Sequence, residues 1–172
     1  MAQLNSRGTL TRGRWDYFEH SNGWASVYGS VTSGGIGAYF ANNSTATMQL
    51  DIYALYWFAS VASIWNVTLF PPPLIVTPFA PTDIEIHSSQ PDRAQLAGVC
   101  GMYSASASPF FTIQRYSNSS NGAILQPVPG EPFIVLPPNW AIGVGGFSTA
   151  NPIELSMNVW YQEIIDNISP AT

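Results

Sequence analysis

The stretch from Asn42 to Phe58 limits what this chain can become more than any other. It opens with a polar turn, Asn42-Asn43-Ser44-Thr45, and runs on as the longest regular alternation in the sequence. Met48, Leu50, Ile52, Ala54, Tyr56 and Phe58 share one parity, while Thr47, Gln49 and Asp51 share the other. Successive strand side chains point to opposite faces, so the pattern predicts a strand whose even-numbered residues lie on a core. From Tyr53 onward the odd residues turn apolar as well (Tyr53, Leu55, Trp57), which predicts cover on both faces of the strand's far end.

The rest of the chain supplies further strands. Trp24 to Val31 and Ile36 to Phe40 are rich in aromatic and β-branched residues and flank a Gly34-Gly35 turn. Val61 to Phe70 reads as the antiparallel partner of the long strand, although Ala59-Ser60 offers neither Gly nor Asn for the hairpin between them. The prolines from Pro71 to Pro81 predict an extended crossing loop, because proline cannot donate to a ladder. Ala94 to Tyr103 and Phe110 to Tyr116 read as strands, Asn118 to Gly122 as a turn, and Ala123 to Val128 and Phe133 to Leu136 as strands around Pro129-Gly130.

Trp140, Ile142 and Val144 alternate with Ala141, Gly143 and Gly145, as expected where another backbone passes close to one face. The last strand is clean: Ile153, Leu155, Met157, Val159 and Tyr161 face one way, and Glu154, Ser156, Asn158, Trp160 and Gln162 the other. Short strands at regular spacing, with no useful helical period, predict an all-β protein. The expected fold is an antiparallel jelly-roll-like β-sandwich: an extended N-terminal arm over residues 1–23 and a single β domain over residues 24–172.

Charge narrows the function. Only 9% of residues are charged, against roughly 25% in ordinary soluble proteins. There is no lysine. A lone monomer with so few surface charges would dissolve poorly, and burial against copies of itself is the simplest remedy. The charges are also segregated: residues 1–15 hold three arginines and no acid, whereas residues 16–172 hold two arginines and ten acids, a balance of −8. A basic arm on an acidic body suits docking onto an acidic neighbour. Three arginines are too few for a nucleic-acid tail, and the acidic body would repel phosphate, so nucleic acid is not an expected partner.

Neither is a membrane. The uncharged run from Ile52 to Thr82 is long enough to cross a bilayer. However, Ser60, Ser63, Asn66 and Thr68 interrupt it and Pro71-Pro72-Pro73 cut it. The N-terminus, Met-Ala-Gln-Leu-Asn-Ser-Arg, has no apolar run of signal-peptide length, so the sequons at Asn42, Asn43, Asn66, Asn118 and Asn167 read as turn chemistry.

Catalytic patterns are missing. A single cysteine, Cys100 in an apolar run, allows no intrachain disulfide and no cysteine metal site. There is no Gly-x-Ser-x-Gly elbow, and the absence of lysine removes P-loop and Schiff-base chemistry. In Asp83-Ile84-Glu85-Ile86-His87, period two puts three side chains that could ligate a metal on one strand face; with no second histidine nearby, the expected reading is the solvated face of an edge strand with Ile84 and Ile86 inward. Neither an enzyme nor a bound cofactor is expected. Trp57, Trp65, Trp140 and Trp160 fall within strands and are candidates for a subunit interface or for ligand stacking, with Trp160 the most telling because it sits on the polar parity of its strand.

Three segments carry a resemblance. Phe40-Ala-Asn-Asn-Ser-Thr-Ala-Thr-Met-Gln-Leu-Asp-Ile-Tyr, Leu136-Pro-Pro-Asn-Trp-Ala-Ile-Gly-Val and the closing strand Glu154 to Glu163 resemble the strand entries of tailed-phage virion jelly rolls. The pattern is shared with tumour-necrosis-factor-like and complement-globular-head-like trimers and covers residues 24–165 in order and spacing. The resemblance implies a non-enzymatic virion structural protein made in the host cytoplasm: a trimeric capsid decoration, or cement, protein on the outer head surface. Its partners would be its own copies and the major capsid protein or another virion protein. The arm with Arg7, Arg12, Arg14 and Trp15 would then bind the capsid. The alternative is a receptor- or glycan-binding head domain of a phage tail or spike.

Overall fold

A computed structural model of the 172-residue chain describes residues 21–32, 34–44, 48–74, 76–88, 98–105, 111–125, 131–150 and 152–165. The arm residues Arg7, Arg12, Arg14 and Trp15 lie outside them. Ten strands are described and no helix: β1 (Ser21–Val31), β2 (Gly34–Asn42), β3 (Met48–Phe70), β4 (Pro78–Phe79), β5 (Asp83–Ser88), β6 (Gly98–Tyr103), β7 (Thr112–Leu125), β8 (Ile134–Leu136), β9 (Ala141–Ser148) and β10 (Ile153–Ile165).

β3 ties the molecule together. It runs unbroken for 23 residues, so the expected hairpin at Ala59-Ser60 does not form; with no residue there that favours a tight turn, the strand bends instead. Along one edge its first half, Met48 to Ala59, pairs with β10, and its second half, Ile64 to Phe70, pairs with β9. The other edge pairs with β7 along both halves and with β8 at Leu50–Ile52. β7 is likewise continuous through Asn118, which takes a left-handed φ of 52° and bends the strand rather than reversing it.

Two four-stranded sheets result, β1-β10-β3-β7 and β2-β9-β3-β7, joined where β3 and β7 pass from one to the other. β5 extends the first sheet, and β6 and β4 extend the second. All pairings are antiparallel, and β1 to β2, β2 to β3 and β9 to β10 each cross between sheets. This is the strand order of a jelly-roll-like β-sandwich.

Serines manage the crossing. Between Phe58, opposite Asn121, and Ser63, opposite Ser119, residues 59–62 of β3 face residue 120 alone, a wide bulge. As β3 leaves β10, the Ser60 hydroxyl accepts from the Glu154 amide at 2.9 Å. As β3 joins β9, the Ser63 hydroxyl donates to the Phe147 carbonyl at 2.6 Å. Side chains thus replace the ladder bonds that the bend removes.

The core lies between the sheets. Ala25, Val27, Ile153, Leu155, Met157 and Val159 face Ile36, Ala38, Phe40, Met102, Ile142 and Val144, all fully or almost fully buried. Phe40 and Tyr161 meet across the gap with ring centroids 4.7 Å apart. At the bend, Trp57 and Trp65 lie 5.3 Å apart, with Tyr116 edge-on to Trp57 at 5.4 Å. Neither indole N–H has an acceptor among the described residues, a polar cost offset by the large aromatic area removed from water.

Asn42, fully buried, latches four segments together. Its amide nitrogen donates to the carbonyls of Met48 and Leu136, each at 2.9 Å. Its carbonyl accepts from the Ser44 amide at 3.0 Å and the Ser44 hydroxyl at 2.7 Å. Its backbone accepts from the Asn139 amide and donates to the Trp140 carbonyl. The polar turn before the long strand is therefore structural, and the sequon at Asn42 has both amide hydrogens engaged.

A smaller apolar layer covers the outer face of the second sheet. Ala41, Phe70, Tyr103 and Ala141 are buried there, with Tyr39, Leu74, Val76, Val99 and Ala105 packed against them. The large/small alternation of β9 finds its reason here. A Cβ at Gly143 would stand 2.5 Å from the Ala38 carbonyl oxygen of the neighbouring strand and 3.1 Å from the Phe70 ring, and one at Gly145 would stand 2.5 Å from the Tyr103 hydroxyl.

Candidate functional site

One irregularity decides which side chains this protein shows to its surroundings. Ile52 pairs with Tyr161 and Ala54 with Trp160, so Tyr53 is an extra residue in β3, a β-bulge. Its hydroxyl is held by the Gln162 side-chain oxygen at 3.0 Å. A one-residue slip exchanges the two faces of a strand. Before the bulge Leu50 and Ile52 point inward; after it Leu55, Trp57 and Ala59 do. Tyr56 and Phe58, expected on the core, are instead 40% and 57% exposed.

The register places them in a grid on the outer face of the first sheet. Across β1, β10, β3 and β7, one row is Trp24, Trp160, Ala54 and Leu125, and the next is Ser26, Asn158, Tyr56 and Ala123. The third is Tyr28, Ser156, Phe58 and Asn121. Trp160 is 55% exposed and Leu125 52%. With strands about 4.8 Å apart and same-face residues about 6.8 Å apart, the grid covers about 14 Å by 14 Å, on the order of 200 Å2. That is about a quarter of the roughly 800 Å2 each partner buries in a stable interface, so the grid can form an apolar centre inside a polar rim.

The rim is acidic. β5 extends the same rows, with Asp83 beside Tyr28, Glu85 beside Ser26 and His87 beside Trp24. Asp83 and Glu85 are exposed, and the His87 side chain lies outside the described residues. Partial desolvation, and after it the neighbouring Glu154 carboxylate, push the Tyr28 phenol above its usual range. Arg115 is the one arginine or lysine among the described residues. Among those residues, no three of His, Cys, Asp and Glu come together as metal ligands. No described helix is long and apolar enough to cross a membrane.

The four candidate tryptophans separate cleanly. Trp57 and Trp65 are 2% and 0% exposed and belong to the core, so neither ring is available for stacking at the surface. Trp140 is half-buried against the core at the entry to β9. Only Trp160 presents its ring outward. Sequence reasoning missed Tyr56 and Phe58 because a bulge leaves no mark in an apolar run; the visible signal was Trp160 on an otherwise polar face. Cys100 is half-buried against the core, and burial pushes its thiol up to about 12. It has no reactive thiolate near neutral pH.

Comparisons with protein-family models, with curated proteins and with solved structures find no match to this chain.

Proposed function

We propose that this chain is a non-enzymatic virion structural protein, a trimeric decoration protein that binds the outer surface of a capsid shell. The observation that carries the reading is the outer face of the first sheet. Trp160, Tyr56, Phe58 and Leu125 stand exposed on three adjacent strands of a chain with only 9% charged residues. Clustered exposed rings with a polar rim mark an interaction surface. Copies of the chain are the natural occupants, because self-association covers this face in every subunit at once.

The arm supplies the second contact. Arg7, Arg12 and Arg14 precede a body with a balance of −8 over residues 16–172, and a sheltered charge-assisted hydrogen bond from each contributes about 1.5–3 kcal/mol. Weak contacts repeated by a trimer at symmetric sites gain through effective concentration. The rival reading, a receptor- or glycan-binding head, would use the same exposed rings to stack ligand. The test is deletion of residues 1–14. The truncated protein should remain a folded trimer and no longer coat particles of the virus that encodes it. Undiminished coating removes the arm from the account.

A further inference from the structure

On the opposite side of the molecule, over the second sheet, a cleft of about 630 Å3 opens beneath the Pro72–Leu74 bend. Its size falls within the roughly 300–1,000 Å3 of ligand sites. The floor is apolar: Ala41 and Val99 on the outer face of the sheet, with Leu74 beside them. One wall is Tyr39, whose ring lies flat on β6 because position 101 is glycine; a Cβ there would stand 2.5 Å from the ring's Cζ. The rim carries two exposed amides, Asn43 and Asn139.

Both side-chain amides are free, and the backbone that carries them is held. Neither side chain engages another group among the described residues. Asn139 holds a left-handed φ of 66°, and its amide donates to the Asn42 carbonyl at 2.8 Å. Asn43 follows the buried Asn42 latch directly. With the backbone beneath them held, only the two side-chain rotamers remain to be ordered on binding.

The chemistry of the lining selects the ligand. Among the described residues, no lysine, arginine, histidine or carboxylate lines the cleft, so none of them rewards a phosphate or another ion. An acyl chain would prefer an enclosed cavity without amides. A flat aromatic ring, an apolar floor and two amides that each donate and accept match a molecule with one C–H face and a ring of hydroxyls. We propose that this cleft is a binding site for a neutral saccharide. The site shares no residue with the aromatic face, so the inference does not rest on the assembly reading.

Saturation-transfer NMR on the full chain, with maltohexaose, cellohexaose and chitotetraose as probes, tests it. At least one should bind at about 10 mM or below. Tyr39→Ala should weaken binding by more than about tenfold. Asn139→Gly, which keeps the left-handed backbone and removes only the amide, should weaken it by about three- to tenfold, one hydrogen bond's worth. Trp160→Ala should leave it unchanged. The proposal fails if no neutral probe binds, if only sulfated or uronic-acid oligosaccharides bind, or if Trp160→Ala abolishes binding while Asn139→Gly does not.

Discussion

Replacing Asn42 with alanine tests the latch that ties the start of β3 to β8 and to the entry of β9. The side chain is fully buried and makes four hydrogen bonds of 2.7–3.0 Å. Truncation leaves the Leu136 carbonyl and the Ser44 amide without their side-chain partner. The Ser44 hydroxyl, released from Asn42, can give its single hydrogen to the Met48 carbonyl 3.0 Å away. Each stranded buried group costs about 1–3 kcal/mol, so the expected loss is roughly 3 kcal/mol after partial relaxation. In a chain of this length that lowers Tm by roughly 6–12 °C. Asn42→Asp is a sharper variant: it keeps the acceptor toward Ser44 but turns a carboxylate oxygen toward two carbonyls, and should cost more than alanine at pH 7. Urea melts at one fixed protein concentration read both, because assembly makes apparent stability depend on concentration. A change below about 0.5 kcal/mol for Asn42→Ala would show that water or local rearrangement replaces the latch, and the reasoning would be wrong.

Gly143→Ala should cost about 1–3 kcal/mol, because its Cβ would meet the Ala38 carbonyl oxygen at 2.5 Å and backbone cannot step aside; thermal melts check this. Alkaline pH should unfold the protein progressively. Burial raises the Cys100 thiol from 9.0 to about 12 and raises the Tyr103 phenol too, so the fold holds the protonated forms. That stability is complete below about pH 9 and is lost as pH rises toward 12, at most on the order of 4 kcal/mol from the thiol and less for the part that stays wet. Urea midpoints across pH 8–11 should fall less steeply in Cys100→Ala. Ser63→Ala, which removes the bond to the Phe147 carbonyl, should cost about 1 kcal/mol in the same assay.

Most of the fold is legible in the sequence, and the failures share one cause. The alternation of Ile153 to Tyr161 places each of those side chains correctly, since a strand paired on both edges with one face on a core has a single satisfactory register. The turn chemistry at Asn42 to Ser44 marks the end of β2 ahead of β3. What stays hidden are local irregularities. The bulge at Tyr53 swaps the faces of β3, and apolar residues on both parities conceal the swap. The bend in β7 resembles a turn in sequence because Ser, Asn and Gly serve both, whereas the bend in β3 carries no Gly or Asn to mark it. Consequently the aromatic grid was half visible, through Trp160 and not through Tyr56 or Phe58. The cleft, assembled from residues 39, 41–43, 72–74, 99 and 139, has no contiguous trace at all.

The most direct test is the size of the purified full chain in solution, by light scattering or sedimentation, beside the double variant Phe58→Ser, Trp160→Ser. Each buried ring at the centre of an interface should contribute about 2 kcal/mol or more. The wild type should therefore be a trimer at micromolar concentration, and the variant should keep its strand signature while falling to monomers. A wild type that stays a dissolved monomer at millimolar concentration, or a variant that assembles as well as the parent, would contradict the account.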